Sequence, residues 1–229
     1  MKRSWLIAIT LVLAACTSTK VPVSEGGQTL RIYLARHGQT DWNLAHRLQG
    51  QSDTELNDTG RKQARDLASR LEGVRFERVY SSALKRSRAT AQTAANGAPV
   101  ESLPSLNEQA LGKFEGLYLD GRDAAAEADY NLRSKRQDDS LDGGESSEQF
   151  FTRVCTAVSA IRREHESGSI LIVGHGGTNA MILRCFLELT AEQADAIRQS
   201  NDELYLIELS SKRSPRLWKL IPKDKLSEL

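Results

Sequence analysis

Residues 169–173 read Ser-Ile-Leu-Ile-Val, an almost unbroken apolar run. Successive side chains of a strand point to opposite faces, so this run has no polar face to offer water. It suits a strand covered on both sides in a parallel sheet. Around it the chain alternates short β-rich runs with longer helical periods, without an internal repeat. Residues 30–35 (LRIYLA), 78–81 and 100–103 are further strand candidates. Asn57-Asp58-Thr59-Gly60 supplies cap chemistry for a helix in which Ala64, Leu67, Ala68 and Leu71 recur at helical spacing. Residues 83–96 form a second helix, stopped by Gly97 and Pro99, and the charged residues 120–136 a third. Gly143-Gly144-Glu145-Ser146 opens a fourth, with Phe150, Val154, Ala157, Val158 and Ile161 on one face. This alternation predicts a layered α/β fold with ligand chemistry at strand C-termini.

The first 28 residues stand apart. Lys2 and Arg3 precede an uncharged apolar run, residues 5–15, too short to span a bilayer comfortably and of signal h-region length. The run ends in Leu13-Ala14-Ala15-Cys16, which resembles a bacterial lipobox. Residues 1–15 are thus read as a lipoprotein signal peptide and Cys16 as the lipidated new N-terminus. Residues 16–28, polar with a proline and paired glycines, read as a tether, and 29–229 as one domain. The alternatives are an ordinary secretory signal that contains a cysteine, or a short N-terminal anchor helix. The first reading expects an exported protein held by acyl chains on the cell envelope, its periplasmic face favoured. Lys2 and Arg3 leave with the leader and no acid does, taking the 31 basic residues to one fewer than the 30 acidic ones. That balance lacks the basic excess of a nucleic-acid binder. Three cysteines are too few for a disulfide scaffold.

Two strand candidates end in a histidine–glycine pair: Arg36-His37-Gly38 after residues 30–35, and His175-Gly176-Gly177 after 169–173. If those strands are neighbours in a parallel sheet, His37 and His175 meet at its C-terminal edge, with glycine backbone allowing a ligand to approach closely. Arg36 adds a fixed fork of donors suited to a phosphoryl group. A histidine at a strand end also serves simply as a hydrogen-bonded structural residue; the matched glycine contexts favour chemistry.

These junctions, with further segments in the same order, resemble the histidine phosphatase superfamily, the phosphoglycerate mutase-like group. The segments are RHGQTDWN (36–43), Gln49-Gly50, LNDTG (56–60), YSSALKRSRAT (80–90), Leu106-Asn107-Glu108, GKFEG (112–116), GGES (143–146) and VGHGG (173–177). The resemblance implies a three-layer α/β/α fold with a mostly parallel sheet. It also implies a small phosphorylated substrate and in-line attack by neutral His37 to give a phosphohistidine. Arg36, Arg86 and His175, with Asn43 as amide donor, would surround the phosphoryl oxygens, and Gln49 and Gly50 would border the pocket. Glu108 would protonate the leaving alcohol and then activate water. No cofactor is implied, no metal is required, and none of the usual metal-ligand spacings is present. Mutases of the family follow the glutamate with an Arg-x-Tyr-Gly type segment; here Gln109-Ala110-Leu111-Gly112 follows, similar to the family's phosphatases. The expected activity is therefore a phosphomonoesterase. Alternatives are a mutase-type phosphoryl transferase, a catalytically weak phospho-ligand module and a narrow phosphohistidine or sugar-phosphate phosphatase. Residues 117–142 fall where the family carries a variable cap.

Several residues keep a plainer reading. Arg86 lies between Lys85 and Arg88 on a charged helix, and only its place after Tyr80-Ser81-Ser82-Ala83-Leu84 singles it out. Glu115 is an alternative acid, since Glu108 has no spacing argument of its own. His46 and His165 read as surface residues. A disulfide between Cys155 and Cys185 fits an oxidising compartment, but two small buried hydrophobes is the favoured reading.

Overall fold

The computed structural model describes residues 29–220; Cys16, the leader and the tether lie outside the described residues. Strands β1 (Thr29–Arg36), β2 (Arg78–Ser82), β3 (Val100–Leu103) and β4 (Gly168–Gly174) pair in parallel in the order β3-β2-β4-β1. β5 (Leu204–Ser210) joins β1 antiparallel, and β6 (Arg213–Leu220) closes that edge antiparallel to β5. The apolar run of β4 divides as a two-residue period requires. Ile170 and Ile172 face one core with Leu30, Ile32 and Leu34, whereas Leu171 and Val173 face a second with Tyr33, Ala35 and Val79.

The helices are α1 (Asp41–Leu44), α2 (Asp58–Arg70), α3 (Lys85–Ala94), α4 (Ala124–Arg133), α5 (Ser147–Glu164), α6 (Gly176–Leu187) and α7 (Ala191–Asp195). α5 and α6 close the first core with Phe150, Val154, Val158, Ile182 and Phe186; α2 and α3 close the second with Leu67, Ala91 and Ala94. This is the expected α/β/α layering. α2 and α5 start where the cap residues placed them: Asn57 accepts from Gly60 N, and Ser146 and Gln149 form a reciprocal capping box.

The predicted 83–96 helix starts later, at Lys85, because Leu84 is extended and makes no side-chain cap. Its first amide instead donates to Asp53 Oδ1, at 2.7 Å, a partner far away in sequence. The predicted 120–136 helix shortens to α4, which Asp123 caps by accepting from Ala126 N. α4 buries none of its own residues fully. Arg133 grips Asp139 and Asp142 with both arms of its fork, and Lys113 pairs with Asp129 and Asp142.

Two expectations are corrected. Cys155 on α5 and Cys185 on α6 are joined in a disulfide rather than lying as separate buried thiols. Both are only half-buried, on facing sides of packed helices, with Cα atoms 5.7 Å apart, within bridging range. His165 is not a free surface residue: its ring sits between the Tyr80 hydroxyl (2.9 Å) and Glu77 Oε2 (3.0 Å), with a tenth of its side chain exposed. His46 is exposed as expected.

The disulfide closes a loop of 30 residues. Chain entropy predicts that the Cys155→Ala/Cys185→Ala pair loses ~3–4 kcal/mol of unfolding free energy. Urea titration of both proteins measures this, and coincident midpoints would contradict it.

Candidate active site

The site is built by strand register. Arg36 lies opposite Gly174 in the parallel β1–β4 ladder, and the next amide, His37 N, donates to Gly174 O at 3.0 Å. The two strands thus end together, leaving the His37 and His175 rings 5.0 Å apart between centroids. Both histidines and Arg86 are at most 2 % exposed, so the chemistry lies below the protein surface.

Each histidine has one nitrogen assigned by its surroundings. His37 Nδ1 donates to Gly38 O at 2.7 Å, which leaves the Nε2 lone pair free. Burial, then the charges of Arg36 and Arg86, hold its pKa well below the ordinary 6.5, so the ring is neutral. His175 Nε2 lies 2.7 Å from Ser82 Oγ, which itself accepts from Leu84 N. Ser82 can give its hydroxyl proton to Nε2 while it accepts from Leu84 N; in that tautomer His175 carries its own proton on Nδ1. Its pKa is also well below 6.5, through burial first and then Arg86 and His37.

The arginines are fixed by backbone carbonyls rather than by carboxylates. Arg86 donates from its two arms to Ser52 O (2.7 Å) and Gly50 O (2.8 Å), and Arg36 from one arm to Gln199 O (2.7 Å). Burial lowers both pKa values, Arg86 to about 10, and each stays cationic at neutral pH. Among the described residues, four buried side-chain polar atoms have no protein partner: Arg36 Nε, Arg86 Nε, His175 Nδ1 and Asn179 Oδ1. The first three are donors around His37; buried donors are normally paired, so their convergence marks a place for an oxyanion.

Glu108 reaches the site from the loop after β3. Its carboxylate accepts from Gly177 N and Thr178 N, both at 3.0 Å, at the first turn of α6 beside His175. A Cβ on Gly177 would lie 2.6 Å from Glu108 Oε1, so this glycine makes room for the carboxylate. Gly38 likewise makes room for protein rather than for a ligand: a Cβ there would lie 2.3 Å from Gly60 O, so a turn of α2 occupies the space the sequence reading assigned to a ligand. Both oxygens of Glu115 are engaged elsewhere, with Gln51 N, Leu111 N and the Ser52 hydroxyl. Asn43 gives its Oδ1 to Thr40 and lines, with Arg36, Trp42 and Asn201, a cleft of about 330 Å³. Gln49 gives its Oε1 to the Thr40 and Thr54 hydroxyls, and Gly50 contributes its carbonyl to Arg86.

The sequence reading missed supporting residues. Ser82 meets His175 Nε2, Thr178 holds Glu108, Asn201 Nδ2 donates to His37 O at 2.6 Å, and Arg153 on α5 binds the loop that carries Glu108. Ser82 stood inside the quoted motif, but no periodicity or spacing pointed to Arg153 or Asn201, which arrive from distant segments.

Comparison with known proteins agrees with this geometry. The histidine phosphatase superfamily (branch 1) matches residues 32–219. The chain is 40% identical over 160 residues to phosphoglycerate mutase-like protein 4 of Arabidopsis thaliana, covering 67% of this chain and 70% of that protein. It is 37% identical over 169 residues to the metal-independent phosphoserine phosphatase of the same plant, covering 71% of each. The solved α-ribazole phosphatase of Shigella flexneri superposes with a TM-score of 0.73 at 26% identity, covering 83% of this chain and 95% of that one. The meeting of His37 and His175 at the ends of β1 and β4 and the match along residues 32–219 lead to one conclusion: the chain belongs to the histidine phosphatase superfamily, branch 1.

Proposed function

We propose that the protein is a metal-independent phosphomonoesterase that works through a phosphohistidine on His37. The observation that carries this is the set of buried, unpartnered donors, Arg36 Nε, Arg86 Nε and His175 Nδ1, beside a neutral histidine whose Nε2 lone pair is free. Phosphoryl transfer asks a protein chiefly for positioning and for charge around the equatorial oxygens, and these groups supply both. Nε2 bonds to phosphorus as the ester P–O bond breaks, and the leaving oxygen takes a proton from Glu108. Water then attacks phosphorus, giving its proton to the Glu108 carboxylate while the P–N bond breaks, and inorganic phosphate leaves with His37 neutral again. Gly38 O holds the Nδ1 proton through both steps, fixing the ring and bearing the positive charge of the phosphorylated imidazole. Asn43, whose Oδ1 accepts from Thr40 N, and Gln49, whose Oε1 accepts from threonine hydroxyls, keep amide NH2 groups for a substrate.

The substrate is a small phosphorylated compound, by likeness to relatives named for phosphoserine and phosphoglycerate. Water, rather than a second phosphate ester, is the proposed acceptor because Gln109-Ala110-Leu111-Gly112, and not an Arg-x-Tyr-Gly type segment, follows Glu108. We also propose export and lipidation at Cys16. The Cys155–Cys185 disulfide supports this, since such bonds persist in oxidising compartments.

Purified protein in EDTA should hydrolyse an aryl phosphate and form an acid-labile phosphoenzyme, and His37→Ala should lose at least about 10³-fold in turnover. Wild type that neither turns over nor becomes phosphorylated would sink the reading.

The buried neutral histidines also set a pH dependence. Their folded pKa values are depressed, so stability is fully present above about 6.5 and declines as pH falls below it, because the unfolded chain then binds protons the folded one refuses. Each contributes up to about 1.4 kcal/mol per pH unit, and urea unfolding between pH 7 and 5 should show a shallower slope in His37→Ala. An equal slope in both proteins would contradict neutral burial of His37.

For the anchor, Cys16→Ser should move the protein from the membrane to the soluble fraction; persistence in the membrane would count against lipidation.

A further inference from the structure

General acid–base catalysis depends on placing the carboxyl within tenths of an ångström of the leaving oxygen, and Glu108 sits on a loop, the least rigid kind of support. Three backbone carbonyls of that loop converge on one side chain. Arg153 of α5 donates from one arm to Ser105 O (2.9 Å) and Asn107 O (3.1 Å), and from the other towards Glu108 O (3.4 Å). The guanidinium is itself locked by Glu145, which accepts from Nε and from the second arm, each at 2.7 Å. This pair is three-quarters or more buried, so the fork is shielded and both ends are geometrically fixed. Glu145 is in turn tied in place: its carbonyl accepts from Gln109 Nε2, and its amide donates to Ala110 O.

We infer that Arg153, oriented by Glu145, is the positioning residue for Glu108. The inference rests on the reading of Glu108 as the acid and base of a phosphohistidine mechanism. The two halves of Glu108 are held by different segments. α6 holds the carboxylate through Gly177 N and Thr178 N, while the Glu108 carbonyl accepts from Gln51 Nε2 (3.0 Å) and, at 3.4 Å, from Arg153 of α5. With Arg153 truncated, Glu108 keeps its helix terminus and Gln51, but Ser105 O, Asn107 O and Glu108 O lose the one side chain that ties them together. Arg153 makes no hydrogen bond to His37, Arg36, Arg86 or His175 and reaches His175 only through its charge, a minor contribution that Arg153→Lys keeps, so the consequence falls chiefly on proton transfer.

Proton transfer matters unequally for different esters. A nitrophenolate leaves without a proton, whereas an alkoxide must be protonated as the P–O bond breaks. The measurement is therefore single-turnover phosphorylation of His37 by 4-nitrophenyl phosphate and by a simple alkyl phosphate, in wild type, Arg153→Ala, Arg153→Lys and Glu145→Gln. In Arg153→Ala the aryl rate should stay within about 3-fold of wild type and the alkyl rate should fall ~10–100-fold. Because water activation also needs Glu108, the same variant should show a burst of nitrophenol followed by slow turnover, with phosphoenzyme accumulating. Arg153→Lys, which keeps the charge but not the fork, should recover part of the alkyl rate, and Glu145→Gln should fall between the two.

Equal losses on both esters would overturn the inference in favour of a general structural role, and so would no loss on either. The burst amplitude counts competent sites, so if Arg153→Ala does not fold, Arg153→Lys and Glu145→Gln carry the same comparison. Wild type that forms no phosphoenzyme with either ester would overturn the phosphohistidine reading itself, and the inference with it.

Discussion

The parallel pairing of β1 with β4 is the constraint from which the site follows. Both strands are buried on both faces, so a one-residue slip would send every side chain into the opposite core and draw Arg31 or Arg36 of β1, or Ser169 of β4, towards an apolar position. That fixes Arg36 opposite Gly174 and makes His37 and His175 adjacent, although 138 positions of chain, numbered 37 to 175, separate them. The bond from His37 N to Gly174 O continues the ladder one step past the strand end. His37 is thereby tied to the end of the sheet.

Electrostatics then follow from burial. Arg36 and Arg86 carry their charges into the interior with carbonyls, not carboxylates, as partners, so neither charge is neutralised before a ligand arrives. Those charges, with desolvation, keep His37 and His175 neutral, which a nucleophile and a tautomer-fixed donor each require. Glu108 offsets part of this positive field from the first turn of α6. The segment that carries α4 is held differently, by the largely buried pairing of Arg133 with Asp139, by the more exposed Asp142, and by a small cluster of Leu111, Phe114 and Leu141.

The layering, β1, β4, the caps of α2 and α5, and the clustering of His37, His175, Arg36 and Arg86 were legible before any coordinates. Each rests on a local rule: an uninterrupted apolar run, an Asn or Ser with the right neighbours, or a motif at a strand end. β5, β6, α6 and α7 were not read. β6 contains Pro215 and three basic residues, Arg213, Arg216 and Lys219, which reads as loop but suits an edge strand with one open side. The Cys155–Cys185 bond was misjudged because pairing depends on how α5 and α6 pack, and no spacing along the chain reports that.

By itself, then, the sequence determined the fold class and, through its motifs' resemblance, the family, and it named the candidate residues for chemistry, because periodicity, cap chemistry and strand-end motifs are written in neighbouring positions. Only the tertiary structure decided which nitrogen of each histidine is free, that Gly38 and Gly177 yield space to protein atoms, and that Arg153 and Glu145 stand behind Glu108. Those facts depend on hydrogen bonds and contacts between segments brought together by the sheet and its helices, and no local pattern encodes the distance between them.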